Sequence, residues 1–295
     1  MSPIKRFPVF IRSLLPTLGR LALLLLALNT AQIALPSAIA ESPAPIRVTV
    51  TIPPQAFIVE SIGAEDVTVQ VLLPPGVNHE SYEPSLKQLS SLLGTEILFT
   101  VGHPHFAFEQ VWVPKVKELS KKTVVINTTS HARSIDDDMH IWLSFDGLNS
   151  MIEVISQSLS DRLPAKRSEF EGRAQLLKTK LSSAKDELTN QLKASPQKPF
   201  LSFHPAYTYL AAELNLRQLV IEHCGKESGI ATASHVIEQA KAAGVRTLIV
   251  EPNTSKQQGE FIASRLKASI TVLDPLAKDP FQTITDFGNA LSKTN

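Results

Sequence analysis

VTVQVLLPPGVNHESYEPSLKQLSSLLG, residues 67 to 94, is the stretch on which the fold turns. Val67 to Leu73 is an apolar, β-branched run, Pro74-Pro75-Gly76 is a turn signal, and Ser85 to Gly94 carries apolar residues at helical spacing. A strand, a loop and a helix follow one another, and the loop presents His79 where the strand has just ended.

The same alternation extends in both directions. IRVTVTI (46–52), TEILFTV (95–101) and KTVVIN (122–127) read as strands, and FEQVWVPKVKEL (108–119) reads as a helix. Alternating β and α segments predict a mainly parallel sheet with helices on its faces. After Pro196 and Pro199 the pattern resumes with strands FLSF (200–203), RQLVIE (217–222), RTLIV (246–250) and SITVL (269–273). Its helices are YTYLAAEL (207–214), SHVIEQAKAA (234–243) and KQQGEFIASRLK (256–267). Between the two blocks, residues 151–193 consist of good helix formers interrupted by Pro164 and Gly172. Phe170, Leu177, Leu181 and Leu188 fall at helical spacing there. The fold expected is therefore α/β, two β/α lobes joined by a long helix that starts after Pro164. The boundaries are 41–155 for the first lobe, 156–196 for the connecting helix region and 197–295 for the second lobe.

The first 40 residues are of another kind. Lys5, Arg6, Arg12 and Arg20 precede LALLLLAL (21–28), and Ser37-Ala38-Ile39-Ala40 closes the segment with a small-residue cleavage pattern. This is the form of a secretory signal peptide, with the apolar run shorter than the about 20 residues a membrane span requires. No cysteine stands beside the cleavage site, so no lipid attachment is expected there. Cleavage leaves 25 basic against 28 acidic residues, a balance that gives no reason to expect nucleic-acid binding. The single cysteine, Cys224, excludes an intramolecular disulfide. An exported soluble protein is expected, and a monomer.

Ligands of open α/β sheets collect at the carboxyl ends of strands. His79, His204, Glu251 and Asp274 all follow predicted strands, and His140 precedes the apolar Ile141-Trp142-Leu143. Three imidazoles and one carboxylate would form a four-coordinate set suited to a borderline divalent ion such as zinc, whereas calcium or magnesium is held by oxygen alone. His103 and His105 also follow a strand and could line the cleft or capture an ion. His131 precedes Asp136-Asp137-Asp138, an acidic run that reads as a solvated loop. His235, His223 and Cys224 read as structural or exposed positions.

HESYEP (79–84), HIWLS (140–144), FHPAYTYLAAELNL (203–216) and VLDPL (272–276), in this order, resemble the signatures of cluster A-I solute-binding proteins, the zinc and manganese receptors of ABC importers. The resemblance spans residues 46–295. It implies that His79, His140, His204 and Asp274 are the metal ligands, with Glu251 as a supporting acid; beside His79, Glu80 reads as a similar candidate, Tyr82 and Glu83 as fixing the loop, and Pro84 as starting the next helix. It implies a metal that is cargo rather than catalytic cofactor, and an inner-membrane ABC permease as partner. Histidine at the third ligand position goes with zinc receptors and glutamate with manganese receptors, so His204 favours zinc, with manganese as the alternative.

The chain departs from the family in three places. HARSIDDD (131–138) stands where zinc receptors often carry a long His- and Asp-rich loop, Pro205 replaces an Asp after the third ligand, and Ser144-Phe145 replaces Asp-Pro. These changes bear on what orients His140 and His204. A secreted zinc-dependent hydrolase is the rival from another class, but the sequence contains neither an HExxH motif nor a nucleophile elbow. An adhesive role finds no repeat or low-complexity tract to support it.

Overall fold

The computed structural model describes residues 44–79, 81–135, 138–193, 197–221 and 230–293. The signal-peptide reading of 1–40 and the readings of Glu80, His223 and Cys224 lie outside the described residues.

The first half of the fold runs β1 (Ile46–Val50), α1 (Pro53–Gly63), β2 (Val67–Val71), α2 (Leu86–Ser91), β3 (Ile97–Thr100), α3 (Ala107–Leu119) and β4 (Val124–Asn127). Two long helices follow, α4 (Phe145–Arg162) and α5 (Arg167–Leu192), separated by a single 3-10 turn at Pro164–Lys166. The second half runs β5 (Pro199–Ser202), α6 (Thr208–Glu213), β6 (Arg217–Val220), α7 (Ile230–Ala242), β7 (Thr247–Val250), α8 (Lys256–Leu266), β8 (Ser269–Val272) and α9 (Pro280–Ser292).

Each half builds a four-stranded parallel sheet, in the orders β2-β1-β3-β4 and β6-β5-β7-β8. The register pairs Val48 with Val69 on one side and with Ile97 on the other, and Leu201 with Leu219 and Leu248 in the second sheet. The two orders are the same pattern repeated. Both sheets therefore send their carboxyl-terminal loops to one edge, and each reverses strand order at its second and third positions.

Two helices went unread in the sequence. α1 opens with Pro53-Pro54, which reads as a chain breaker but occupies the first turn, where missing N–H groups cost nothing. It is buried along most of its length, so no polar face marks its period. α9 is capped by Asp279, whose Oδ1 accepts from Phe281 N at 2.9 Å and Gln282 N at 3.2 Å. The start of α2 differs from expectation in detail. Ser85, rather than Pro84, caps it, with Oγ accepting from Gln88 N at 3.2 Å. Tyr82 holds the preceding loop, as expected, by donating to Gln88 Oε1 at 2.7 Å.

A continuous apolar core runs from the first sheet through α4 and α5 to one face of the second sheet, where it includes Phe200, Tyr207, Leu273 and Phe287. A smaller core around Leu201, Leu219, Leu248 and Ile262 fills the other face of the second sheet. No helix among the described residues is long and apolar enough to cross a membrane.

Candidate metal centre

His79 sits in the loop after β2, His140 in the loop before α4, and His204 two residues beyond β5. All three are buried, and their ligand atoms lie within 4.8 Å of one another. The rings meet edge to face, with centroids 5.3 Å apart for His79–His140 and His79–His204 and 4.8 Å for His140–His204. His140 Nε2 and His204 Nε2 approach to 3.1 Å. Two nitrogens each about 2.05 Å from a tetrahedral zinc would stand about 3.3 Å apart, so this pair already has the required spacing.

What aims His140 is visible only in the fold. Asp138, read as part of a solvated acidic loop, is partly buried, and its Oδ1 accepts from His140 N at 2.8 Å and pairs with His140 Nδ1 at 2.7 Å. An ionised carboxylate can only accept, so Nδ1 carries the hydrogen and Nε2 turns its lone pair to the cluster. Burial pushes the Asp138 carboxyl up, but the His140 hydrogen bond and charge bring it below the ordinary value. The loop itself is pinned from the second lobe: Tyr209 Oη donates to Asp138 O at 2.6 Å and accepts from Ile135 N at 3.0 Å.

The electrostatics keep His79 and His140 neutral. Burial holds His79 well below the usual histidine value, and repulsion from His140 and His204 lowers it further. His79 Nε2 is buried without a hydrogen-bond partner among the described residues. Burial likewise lowers His140, against the opposing pull of Asp138. Neutral nitrogens with exposed lone pairs are the state that accepts a metal ion.

The substitution of Ser144-Phe145 for Asp-Pro is locally satisfied. Ser144 Oγ caps α4 by accepting from Gly147 N at 2.8 Å and donates to Ile141 O at 2.7 Å. Glu213 from α6 then accepts from Phe145 N at 2.8 Å and Asp146 N at 3.0 Å, a carboxylate from the second lobe at the positive end of a first-lobe helix. Gly147 is required there, since a Cβ would stand 1.9 Å from Ile141 O.

Asp274 and Glu251 are not part of the imidazole group. They line an adjoining crevice of about 10 Å³, room for about one water, together with Gly76, Val77, His79 and Asn253. Asp274 Oδ1 accepts from Leu276 N at 2.8 Å, and Trp142 Nε1 donates to the neighbouring Pro275 O at 2.8 Å. His103 is buried but committed elsewhere: Nδ1 accepts from His105 N at 3.2 Å and Nε2 pairs with Ser134 Oγ at 3.0 Å. His105, His131 and His235 are exposed. Glu109, unremarked in the sequence, is buried and accepts from Val101 N at 2.6 Å, Gly102 N at 2.7 Å and Thr51 Oγ1 at 2.5 Å. Burial pushes its carboxyl up to about 7 against these bonds. It fixes the carboxyl end of β3, from which the chain continues to Phe106, in contact with the His79 ring at 6.3 Å between centroids.

Two β/α lobes of matching topology, joined by a long helix and meeting at a buried imidazole trio, define a two-lobed binding protein. The chain belongs to the family described as "Zinc-uptake complex component A periplasmic", whose model matches residues 48–292. Among curated relatives, the zinc-binding lipoprotein AdcA of Streptococcus pneumoniae strain R6 is 24% identical over 258 residues, which cover 78% of this chain and 50% of that protein. The zinc-binding protein AdcA of Streptococcus pyogenes serotype M3 is 24% identical over 266 residues, with the same coverage. The chain thus spans about half the length of these relatives. The crystal structure of ZnuA is 29% identical with a TM-score of 0.79, covering 85% of this chain and 99% of that one. A Mn-bound periplasmic metal-binding protein from Candidatus Liberibacter asiaticus shares the fold at 19% identity, with a TM-score of 0.75 over 84% of this chain and 98% of that one.

Proposed function

We propose that this chain is a periplasmic receptor for a divalent metal ion, zinc in the first place, which it carries to an inner-membrane ABC permease. The observation that supports this most is the cluster of three buried imidazoles within 4.8 Å, with His79 and His140 held below the ordinary histidine value. His79, His140 and His204 supply nitrogen ligands, Asp274 turns in as the fourth, and Glu251 stands by as a supporting acid. The ion is cargo. Similarity to binding proteins supports a carrier rather than an enzyme. The lobes are 41–155 and 197–295, the connector is 156–196, and residues 1–40 are the export signal.

Nitrogen-rich coordination favours zinc over manganese. Manganese is the second reading, favoured by the hard carboxylates of Glu251 and Asp274 at the crevice beside His79. Competitive calorimetric titration of residues 41–295 with zinc and manganese separates them. One tight zinc site per chain, weakened at least 100-fold by His204→Ala, is expected from the loss of one of four ligands. Manganese preference would replace the zinc assignment, and indifference to His204→Ala would remove that residue from the site.

A further inference from the structure

Tyr207 is 1% exposed, yet its Oη has no hydrogen-bond partner among the described residues. The ring is well accommodated, stacked on Phe287 with centroids 5.2 Å apart and planes at 17°, while Phe287 meets Phe200 edge to face. Phenylalanine would fill the same space. A buried hydroxyl left unpaired destabilises the state that contains it, so packing in the metal-free fold does not account for the oxygen.

The groups that face it do. Burial raises Tyr207 well above the usual tyrosine value, and the charges of Glu251 and then Asp274 raise it further. A tyrosine hydroxyl carries its hydrogen at neutral pH, so this unpaired one is available as a donor to the two acids whose charges reach it. Those acids line the crevice next to His79, and Asp274 has only its Oδ1 engaged with Leu276 N. Tyr207 lies three residues after His204, in the turn that leads to α6.

We propose that Tyr207 is a positioning residue, whose O–H donates to the Asp274 carboxylate when that carboxylate turns onto an ion held by the three imidazoles. One oxygen of Asp274 would meet the ion while the other accepts from Tyr207, which fixes the lone pair that faces the metal. This rests on the receptor reading and on Asp274 as the fourth ligand.

The test compares Tyr207→Phe, Asp274→Asn and the double variant by thermal melting of the metal-free protein and by zinc titration. Metal-free Tyr207→Phe is expected to melt at the same temperature as wild type or higher, and to bind zinc roughly ten-fold or more weakly, the range for loss of a hydrogen bond to a metal ligand. In the Asp274→Asn background the tyrosine substitution should add no further loss. A lower metal-free melting temperature marks a structural role and overturns the proposal, as does an undiminished effect in the double variant. If Asp274→Asn weakens zinc binding and Tyr207→Phe does not, the positioning role alone fails. If Asp274→Asn is silent, the fourth-ligand reading fails and the role of Tyr207 fails with it.

Discussion

Asp138 decides more than its place in an acidic run suggests. Its carboxylate both holds the His140 backbone and orients the ring, so the lone pair on Nε2 is aimed before any ion arrives. Asp138→Ala should therefore weaken zinc binding about 10–100-fold, the range for removing the hydrogen-bonded carboxylate behind a ligating histidine. Zinc titration of the variant checks this, and an unchanged affinity would show that packing alone orients His140. The histidines also set a pH dependence. In the unfolded chain they titrate at about 6.5, whereas in the fold burial holds His79 and His140 below that value. Below pH 6.5 the unfolded chain gains protons that these two folded imidazoles refuse, so their contribution to metal-free stability is full above that pH and falls as pH drops through the depressed folded values, while Glu109, raised to about 7, works in the opposite sense. Denaturation of the metal-free proteins between pH 8 and 5 should show wild type losing stability relative to His79→Gln as the pH falls, since Glu109 acts alike in both. Equal slopes would contradict it.

At the scale of elements, α4 depends on a cap from the other lobe. Glu213 satisfies two of the four N–H groups that the first turn leaves open, and Ser144 satisfies a third. Glu213→Ala should lower stability by about 1–2 kcal/mol in urea denaturation, the cost of a lost helix cap. No loss would mean that water replaces the carboxylate. What could be read from sequence follows the same logic. The strands and His79, His204, Asp274 and Glu251 were legible because parallel β/α units place them at strand ends by chain order alone. Asp138 was not, because three consecutive aspartates look solvated until Tyr209 and His140 close over one of them. Helix α1 was hidden by its two prolines and by burial that erases the polar face, and Glu109 by lying inside a helix whose packing brings it under β3. The Tyr207 hydroxyl leaves no trace in the pattern, since tyrosine and phenylalanine serve a core equally until the neighbouring acids are seen.

Across the whole molecule, the lobes are tied rather than hinged. One apolar core passes from the first sheet through α4 and α5 into the second. Trp142 donates to Pro275 O, Tyr209 holds the 135–138 loop, Glu213 caps α4, and Lys278 pairs with Glu60 at 2.6 Å across the surface. A rotation of the lobes would break these together, so under the receptor function proposed above, loading and release would fall to the loops that carry His79 and Asp274. A crystal structure of the zinc-loaded protein tests the central claim most directly. It should place one ion about 2.0–2.2 Å from a ring nitrogen of each of His79, His140 and His204 and from a carboxylate oxygen of Asp274, with the lobes related as they are here. An ion bound away from these imidazoles, or held by fewer than three of them, would contradict the account.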